Sequence, residues 1–183
     1  MIVKLGFTGT RDAAKVQGVQ LIRMAYQIHA WRERIKTVCG QDLERLERIE
    51  WHYGMCVGAD AYAADLAKAA GFYLVGHPPK NRKLVSIEVR PDEIRPALDY
   101  LDRNWAIVKE VGLIYAMPKE DDEPEMKRGG GTWATIRYAR QNGNPLCLMY
   151  PSGILVYEPP SKKWRMSVGA SAGPRGVGFE DQS

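Results

Sequence analysis

GADAYAADLAKAAG (58–71), followed at once by FYLVG (72–76), is the stretch that decides the fold. The alanine-rich part places Leu66, Ala67 and Ala70 on one helix face, and Gly71 is typical of a helix end. The apolar run after it is continuous rather than alternating, which is typical of a strand covered on both faces. A helix that leads directly into such a strand predicts a parallel sheet with helical crossovers.

The same succession of helical patterns and apolar runs extends along most of the chain. We predict strands at 2–7, 50–56, 72–76, 111–117 and 145–150. We predict helices at 14–38, 42–49, 58–71, 95–112 and 131–143. These elements indicate one doubly wound, Rossmann-like α/β domain over residues 1–158, with helices on both faces of its sheet. GILVY (153–157) is a possible extra edge strand, and the Gly-, Ser- and Pro-rich residues 159–183 are expected to form a flexible tail.

The length and net charge of the chain indicate what kind of molecule it binds. It has 183 residues and a formal net charge of +4, which suits a single domain that binds an anionic small molecule and does not call for nucleic acid. No apolar run approaches the roughly 18 residues of a membrane span, and no signal peptide is recognisable. We therefore expect a cytoplasmic protein in which Cys39, Cys56 and Cys147 are reduced.

The loops that follow the predicted strands carry the candidate binding residues, because ligands of open α/β sheets lie at the carboxyl ends of the strands. These loops are rich in glycine and lead into helix N-termini, which favours a phosphate group. The candidates are Gly9, Thr10, Arg11, Gly58, Ala59, Asp60, His77, Pro78, Arg103, Asn104, Pro118, Arg128, Gly129, Gly130, Gly131, Thr132, Trp133 and Thr135. Neither G-x-G-x-x-G nor a Walker-type loop occurs, which argues against an ordinary NAD dehydrogenase or P-loop NTPase.

Five motifs in order carry a family resemblance: GFTGTR, GADAYAADLA, HPP, RNWAIV and RGGGTWATIRYAR. Together they resemble the SLOG superfamily, which includes the LOG phosphoribohydrolases and the DNA-processing protein DprA, and above all its small stand-alone bacterial and phage members. The resemblance implies a five-stranded parallel sheet, a homodimer or homotetramer, and binding of nucleotides or nucleotide-derived signals. It also implies that residues 9–11, 58–60 and 128–132 contact phosphate, with Arg103 and Asn104 close by.

One residue departs from the enzymes of this superfamily. The LOG motif P-G-G-x-G-T-x-x-E ends in a catalytic glutamate, and alignment on Thr132 puts Thr135 at that position. A threonine cannot act as a carboxylate base. The sequence therefore favours non-catalytic binding of a phosphorylated nucleotide or a cyclic ADP-ribose-type signal, in antiviral defence or counter-defence. It predicts no catalytic residue, no metal ligands and no cofactor.

Two other functions stay open. A LOG-type N-glycosidase would use His77 or another acid, provided that its pKa lies near neutrality. Single-stranded DNA binding in the manner of DprA would use a basic region between the third and fourth strands, although nucleic acid is the less favoured partner. Trp105 and Trp133 border the predicted cleft and are candidates either for stacking on a base or for packing the sheet. The basic region comprises Lys80, Arg82, Lys83, Arg90 and Arg95.

Overall fold

A computed structural model describes residues 2–39, 46–125 and 130–161, with side chains outside 32–39. The strands are β1 (Ile2–Gly9), β2 (Arg48–Tyr53), β3 (Tyr73–Gly76), β4 (Glu93–Ile94), β5 (Leu113–Met117), β6 (Leu146–Met149) and β7 (Leu155–Glu158). The helices are α1 (Gly18–Cys39), α2 (Ala59–Ala69), α3 (Tyr100–Glu110) and α4 (Gly130–Asn142). Short 3₁₀ turns lie at Ala13–Lys15 and Arg82–Leu84.

The sheet is mostly parallel and reverses its order next to β1. Its order is β4-β3-β2-β1-β5-β6-β7, and only the β6–β7 pair is antiparallel. The chain therefore winds outwards from β1 to β4, returns to β5 beside β1, and winds outwards in the other direction. This reversal opens a crevice at the carboxyl ends of β1 and β5, where Thr10 N–H donates to the Met117 carbonyl across 3.0 Å.

Two apolar layers cover the two faces of the sheet. Met24 and Ile28 of α1 pack with Ala63 of α2 on one face, around the buried Trp51 of β2. Ile107 of α3 belongs to the second core cluster, on the opposite face, together with residues of α4, β5 and β6. The predicted α/β fold with helices on both faces is therefore confirmed.

The predicted count of five strands is wrong, because the described part of the chain forms a seven-stranded sheet. β7 (Leu155–Glu158) overlaps the predicted edge segment 153–157 and ends one residue beyond it. β4 was not predicted, since two residues in a charged loop carry no period that identifies a strand.

Helix boundaries differ from prediction at several N-termini. α1 begins at Gly18 rather than at residue 14, because Asp12 caps a 3₁₀ turn through Ala14 N–H (3.2 Å). α3 begins at Tyr100 rather than at residue 95, since the residue before Pro96 is disfavoured in a helix. Residues 42–45 of the predicted helix 42–49, and the tail from position 162 onward, lie outside the described residues. The described end of that helix prediction is wrong, because Arg48 and Ile49 pair with β1 as the first residues of β2.

Among the described residues, no helix combines the length and the apolar character that a membrane crossing requires.

Candidate functional site

A cleft of about 190 Å³ lies at the reversal point of the sheet. Its walls come from the loop after β1, the loop after β5 and the first turn of α4. A smaller and deeper pocket of about 40 Å³ adjoins it and shares Arg11, Gly131 and Thr132 with it. The lining residues of the two are Thr8, Gly9, Thr10, Arg11, Asp12, Cys56, Asp60, Tyr100, Arg103, Asn104, Lys119, Glu120, Gly130, Gly131, Thr132 and Trp133.

The loop after β1 is locked onto the start of α2 by close backbone contact. Ala59 N–H donates to the Thr10 carbonyl across 2.9 Å, so this donor is not available to a ligand. Gly58 has a φ of +83°, and a Cβ there would lie 2.6 Å from the same carbonyl oxygen. Gly58 and Ala59 therefore support the cleft from behind rather than line it, because α2 starts beneath the loop.

The N-terminus of α4 forms the open wall of the cleft. Gly130 has a φ of +59° and is exposed, and Gly131 and Thr132 are partly exposed. Asn104 Nδ2 donates to the Gly131 carbonyl across 3.1 Å, which ties α3 to the first turn of α4. Backbone N–H groups in a first helical turn have no partner within the helix, so this wall suits an anion.

Thr135, which stands at the position of the LOG glutamate, faces its own helix. Its hydroxyl donates to the Gly131 carbonyl one turn earlier across 2.9 Å, and the residue is 1% exposed. It does not line the cleft.

The deeper pocket contains a buried charge pair. Arg103 on α3 and Asp60 on α2 are 6% and 4% exposed, and Arg103 Nη1 lies 3.9 Å from Asp60 Oδ2. Arg103 Nη2 contacts Cys56 Sγ at 3.4 Å, while Nε is buried with no hydrogen-bond partner among the described residues. Burial raises the pKa of Asp60 to about 6, against the opposing effect of the Arg103 charge.

Glycine at position 54 makes room for this pair. A Cβ on Gly54 would overlap with the guanidinium of Arg103 and lie 2.8 Å from Asp60 Oδ2. The end of β2 thus accommodates a buried arginine that comes from another part of the chain.

The outer cleft carries charges of both signs. Arg11 lies over the ring of Tyr100, 5.0 Å from its centroid. Glu120 accepts from Trp133 Nε1 at 3.1 Å and pairs with Lys119 Nζ at 3.2 Å. Trp133 is 1% exposed, so its ring packs in the α3–α4 layer and offers no free face for stacking on a base.

Several predicted residues lie away from the cleft. Pro118 is buried and its carbonyl accepts from Gln20 Nε2 at 2.9 Å, while Pro78 continues the loop after β3. His77 belongs to a separate cluster, in which its Nε2 lies 3.0 Å from His52 Nδ1. Burial, reinforced by neighbouring positive charges, lowers the pKa of His77 to about 3, so at neutral pH the ring holds no proton that it can donate as an imidazolium. Arg128 and Gly129 lie outside the described residues.

Sequence reasoning did not select Gly54, Cys56 and Tyr100. The alternation Glu50-Trp51-His52-Tyr53 continues to Gly54, and this unusual polar face of a buried strand is the signal that could have drawn attention to the region. Trp105, the second tryptophan predicted to border the cleft, packs edge-on against Tyr138, with ring centroids 5.3 Å apart.

No protein-family model matches this chain, and no curated protein is similar enough to match it. Solved structures do match. The molybdenum cofactor binding protein from the phototrophic bacterium Rippkaea orientalis has a TM-score of 0.55 and 23% identity, over 82% of this chain and 77% of that chain. The protein TM1055 has a TM-score of 0.50 and 14% identity, over 79% and 72% of the two chains.

The Moco carrier protein from Chlamydomonas reinhardtii is also matched, with a TM-score of 0.48 and 20% identity over 81% of this chain and 76% of that chain. At these identities the first two likenesses show a shared fold: a Rossmann-like α/β domain with a mostly parallel sheet.

Proposed function

We propose that this chain is a SLOG-type protein that binds a phosphorylated nucleotide or nucleotide-derived signal in the cleft beside β1 and β5 without hydrolysing it. The observation that carries the proposal is the meeting of three kinds of donor at one cleft. They are the first turn of α4, the Arg11 guanidinium and the guanidinium of Arg103, which lines the deeper pocket. Similarity in fold to a protein that binds the molybdenum cofactor supports small-molecule binding in this broad sense.

The phosphate would lie against the first turn of α4. Gly131 has no side chain to shield its backbone, and Thr132 adds a hydroxyl beside it. Arg103 lines the deeper pocket, and its buried Nε has no partner among the described residues; an unpaired buried donor costs about 1–3 kcal/mol, which a ligand oxygen that reached it would recover. The cleft therefore favours a compact anion that extends from the first turn of α4 into the deeper pocket.

The charge balance of the cleft favours a small ligand over nucleic acid. The cations Arg11, Lys119 and Arg103 are matched by the carboxylates Asp12, Glu120 and Asp60, so the lining has no excess of positive charge. Binding to a nucleic acid backbone depends on a surplus of cations along a surface. The homo-oligomer, the cytoplasmic location and the role in defence are predictions that accompany this proposal.

Thr135 supports binding without hydrolysis. Its hydroxyl is bonded to its own helix, and no carboxylate replaces it at that position. A developing positive charge on a ribose would find no carboxylate there to stabilise it.

The first experiment is mass spectrometry of small molecules released when the purified full chain is denatured. The second is titration calorimetry with AMP, ADP, ADP-ribose and cyclic ADP-ribose. A co-purified nucleotide or measurable heat from this panel is expected. A chain that releases no phosphorylated molecule and gives no heat would contradict the proposal.

A matched pair of glycine variants tests the place of binding. An added Cβ meets its nearest atom at 3.6 Å both at Gly131 in the cleft and at Gly112 outside it. Gly131→Ala is expected to weaken binding at least about 10-fold, or 1.4 kcal/mol, because its methyl group occupies the phosphate position. Gly112→Ala should bind as the unchanged protein does. Equal affinities for all three proteins would refute this placement.

A second function is favoured by Asp60. A carboxyl group with a pKa of about 6 that lines a pocket beside a buried arginine is suited to donate a proton to a leaving base. N-glycoside hydrolysis would then release free base from a nucleoside monophosphate, and Asp60→Asn would abolish the release. Chromatography that finds no free base at micromolar protein would exclude this function and leave binding as the activity.

A further inference from the structure

A second cluster of polar side chains lies away from the cleft, on the α3 side of the sheet. His52 on β2 and His77 after β3 are buried, and Glu110 at the end of α3 has a side chain that is 34% exposed. These residues come from three separate elements and meet at the polar face of β2, where Lys4 of β1 also reaches Glu50 Oε2 at 3.6 Å; the part of this sheet face formed by β5 and β6 is apolar.

Three ligand-type atoms converge on one point. His52 Nδ1 lies 3.0 Å from His77 Nε2 and 3.3 Å from Glu110 Oε2, and the last two atoms are 3.9 Å apart. The point equidistant from the three atoms lies about 2.0 Å from each, by the circumradius of this triangle, which matches Zn–N and Zn–O bonds of about 2.0–2.2 Å.

The hydrogen bonds around His52 orient it as a ligand. Glu50 is held by Arg48 Nε at 2.8 Å and Nη2 at 2.6 Å, so its carboxylate acts as an acceptor. His52 Nε2 lies 3.1 Å from Glu50 Oε2 and is therefore the ring nitrogen that carries the hydrogen. This leaves a lone pair on Nδ1 of the neutral ring, directed towards the cluster. A carboxylate behind a histidine is the usual second partner of a metal-bound imidazole.

The three side chains supply more acceptor atoms at this point than hydrogen-bond donors. With Nδ1 of His52 an acceptor and Glu110 a carboxylate, the pair at 3.3 Å brings two lone-pair atoms together. With its hydrogen on Nε2, His77 donates to His52 Nδ1 across 3.0 Å, while Glu110 Oε2 lies 3.9 Å from that nitrogen, beyond hydrogen-bond distance. Binding of an ion requires the other neutral tautomer of His77, with the hydrogen on Nδ1 and a lone pair on Nε2. Arg95 donates to Glu110 Oε2 from outside through both Nε (3.3 Å) and Nη2 (3.2 Å), so an ion at the convergence point would share this oxygen with one guanidinium.

We propose that His52 Nδ1, His77 Nε2 and Glu110 Oε2 form a binding site for a divalent transition-metal ion of the zinc class. Two imidazole nitrogens and one carboxylate oxygen suit Zn²⁺, and three protein ligands leave a fourth position for water. Because Glu110 is partly exposed, the ion enters from the outer end of α3. None of the three ligand residues lines the phosphate cleft or its deeper pocket, so the test of this site does not require a bound nucleotide.

The test is Co²⁺ titration of the full chain after chelator treatment, followed by visible absorption, with Zn²⁺ then added to displace the Co²⁺. One Co²⁺ per chain with the intense bands of a four- or five-coordinate ion is expected, and Zn²⁺ should abolish them. Glu110→Gln should weaken binding at least 10-fold and His77→Gln should abolish it. His29→Gln, which alters the exposed histidine on α1, should bind as the unchanged protein does.

The control measurement is the melting temperature of each variant in chelator. If His77→Gln fails to fold, the affinity of Glu110→Gln for Co²⁺ tests the proposal. This variant is expected to fold, because the Glu110 side chain is partly exposed. A folded protein that binds no Co²⁺, or that gives only the weak bands of an octahedral ion, overturns the proposal. So does a Glu110→Gln variant with unchanged affinity, or an equal loss of binding in His29→Gln.

Discussion

Replacing Gly54 by alanine is expected to destabilise the protein by displacing Arg103. The new methyl group would overlap with the guanidinium, which lies where a Cβ would be, and would lie 2.8 Å from Asp60 Oδ2. Arg103 is 6% exposed, so its guanidinium would have to shift into the adjoining pocket of about 40 Å³ and give up its present contacts with Asp60 and Cys56, or distort α3.

The magnitude has two parts. Overpacking of a buried site costs about 1–3 kcal/mol. The electrostatic part is limited, because Asp60 can take up a proton once its cation has gone. With Arg103 present the pKa of Asp60 is already about 6, so at pH 7 this protonation costs at most about 1.4 kcal/mol. The sum is about 1–4 kcal/mol, which corresponds to a fall in melting temperature of roughly 2–16 °C for a domain of this size.

The assay is a double-mutant cycle measured by urea unfolding. Gly54→Ala is introduced into the unchanged chain and into an Arg103→Ala background, which removes the overlapping group. We expect the cost of the alanine to fall to less than about 1 kcal/mol in that background, since contacting residues couple by about 0.5–3 kcal/mol. Gly112→Ala, where the nearest atom is 3.6 Å away, controls for the added methyl group. An equal cost of Gly54→Ala in both backgrounds would refute the reasoning.

Three further predictions concern the same region. Gly58→Ala should lower the free energy of unfolding by about 2 kcal/mol or more in urea unfolding, because its φ of +83° and the Thr10 carbonyl at 2.6 Å both oppose a side chain; a loss below 0.5 kcal/mol would contradict this. Since burial raises the pKa of Asp60 from 3.8 to about 6, the folded state holds this proton more tightly than the unfolded state. The contribution of Asp60 to the free energy of unfolding therefore falls by up to about 3 kcal/mol between pH 4 and 6. Stability curves of the unchanged protein and of Asp60→Asn that run parallel over this pH range would contradict the prediction. Thr135→Val should change stability by less than about 1.5 kcal/mol and leave nucleotide affinity unchanged, because its hydroxyl bonds only within α4; a 10-fold loss of affinity in calorimetry would place that hydroxyl at the ligand.

Much of the fold could be predicted because it depends on local patterns. The continuous apolar runs and the helical spacing between them identified five strands and the four described helices, and GILVY indicated the edge strand. β4 was missed, since its two residues pair with Val75 and Gly76 and take their strand conformation from that neighbour. The start of α3 was placed too early because the apolar spacing continues through residues that precede the helix.

The candidate site was predicted in outline. The sequence indicated that the loop after β1 and the start of α4 lie at one edge of the sheet, and the structure brings Thr10, Arg11 and Gly131 together there. It did not indicate that the N-terminus of α2 would be covered by the Thr10 carbonyl. That contact depends on how closely two backbones approach, and spacing along the chain does not contain this distance.

The alternation of helices with apolar strands, the loops that carry glycine and the replacement of a glutamate by Thr135 are determined by the sequence alone, because each is a property of neighbouring residues. Only the tertiary structure decided which side chains meet. Arg103 reaches the space left by Gly54, and His52, His77 and Glu110 converge across three elements, although 25 and 33 residues separate them in turn. The physical reason is that such contacts depend on strand register and on how helices and strands pack against each other, and both are fixed only when the whole domain packs.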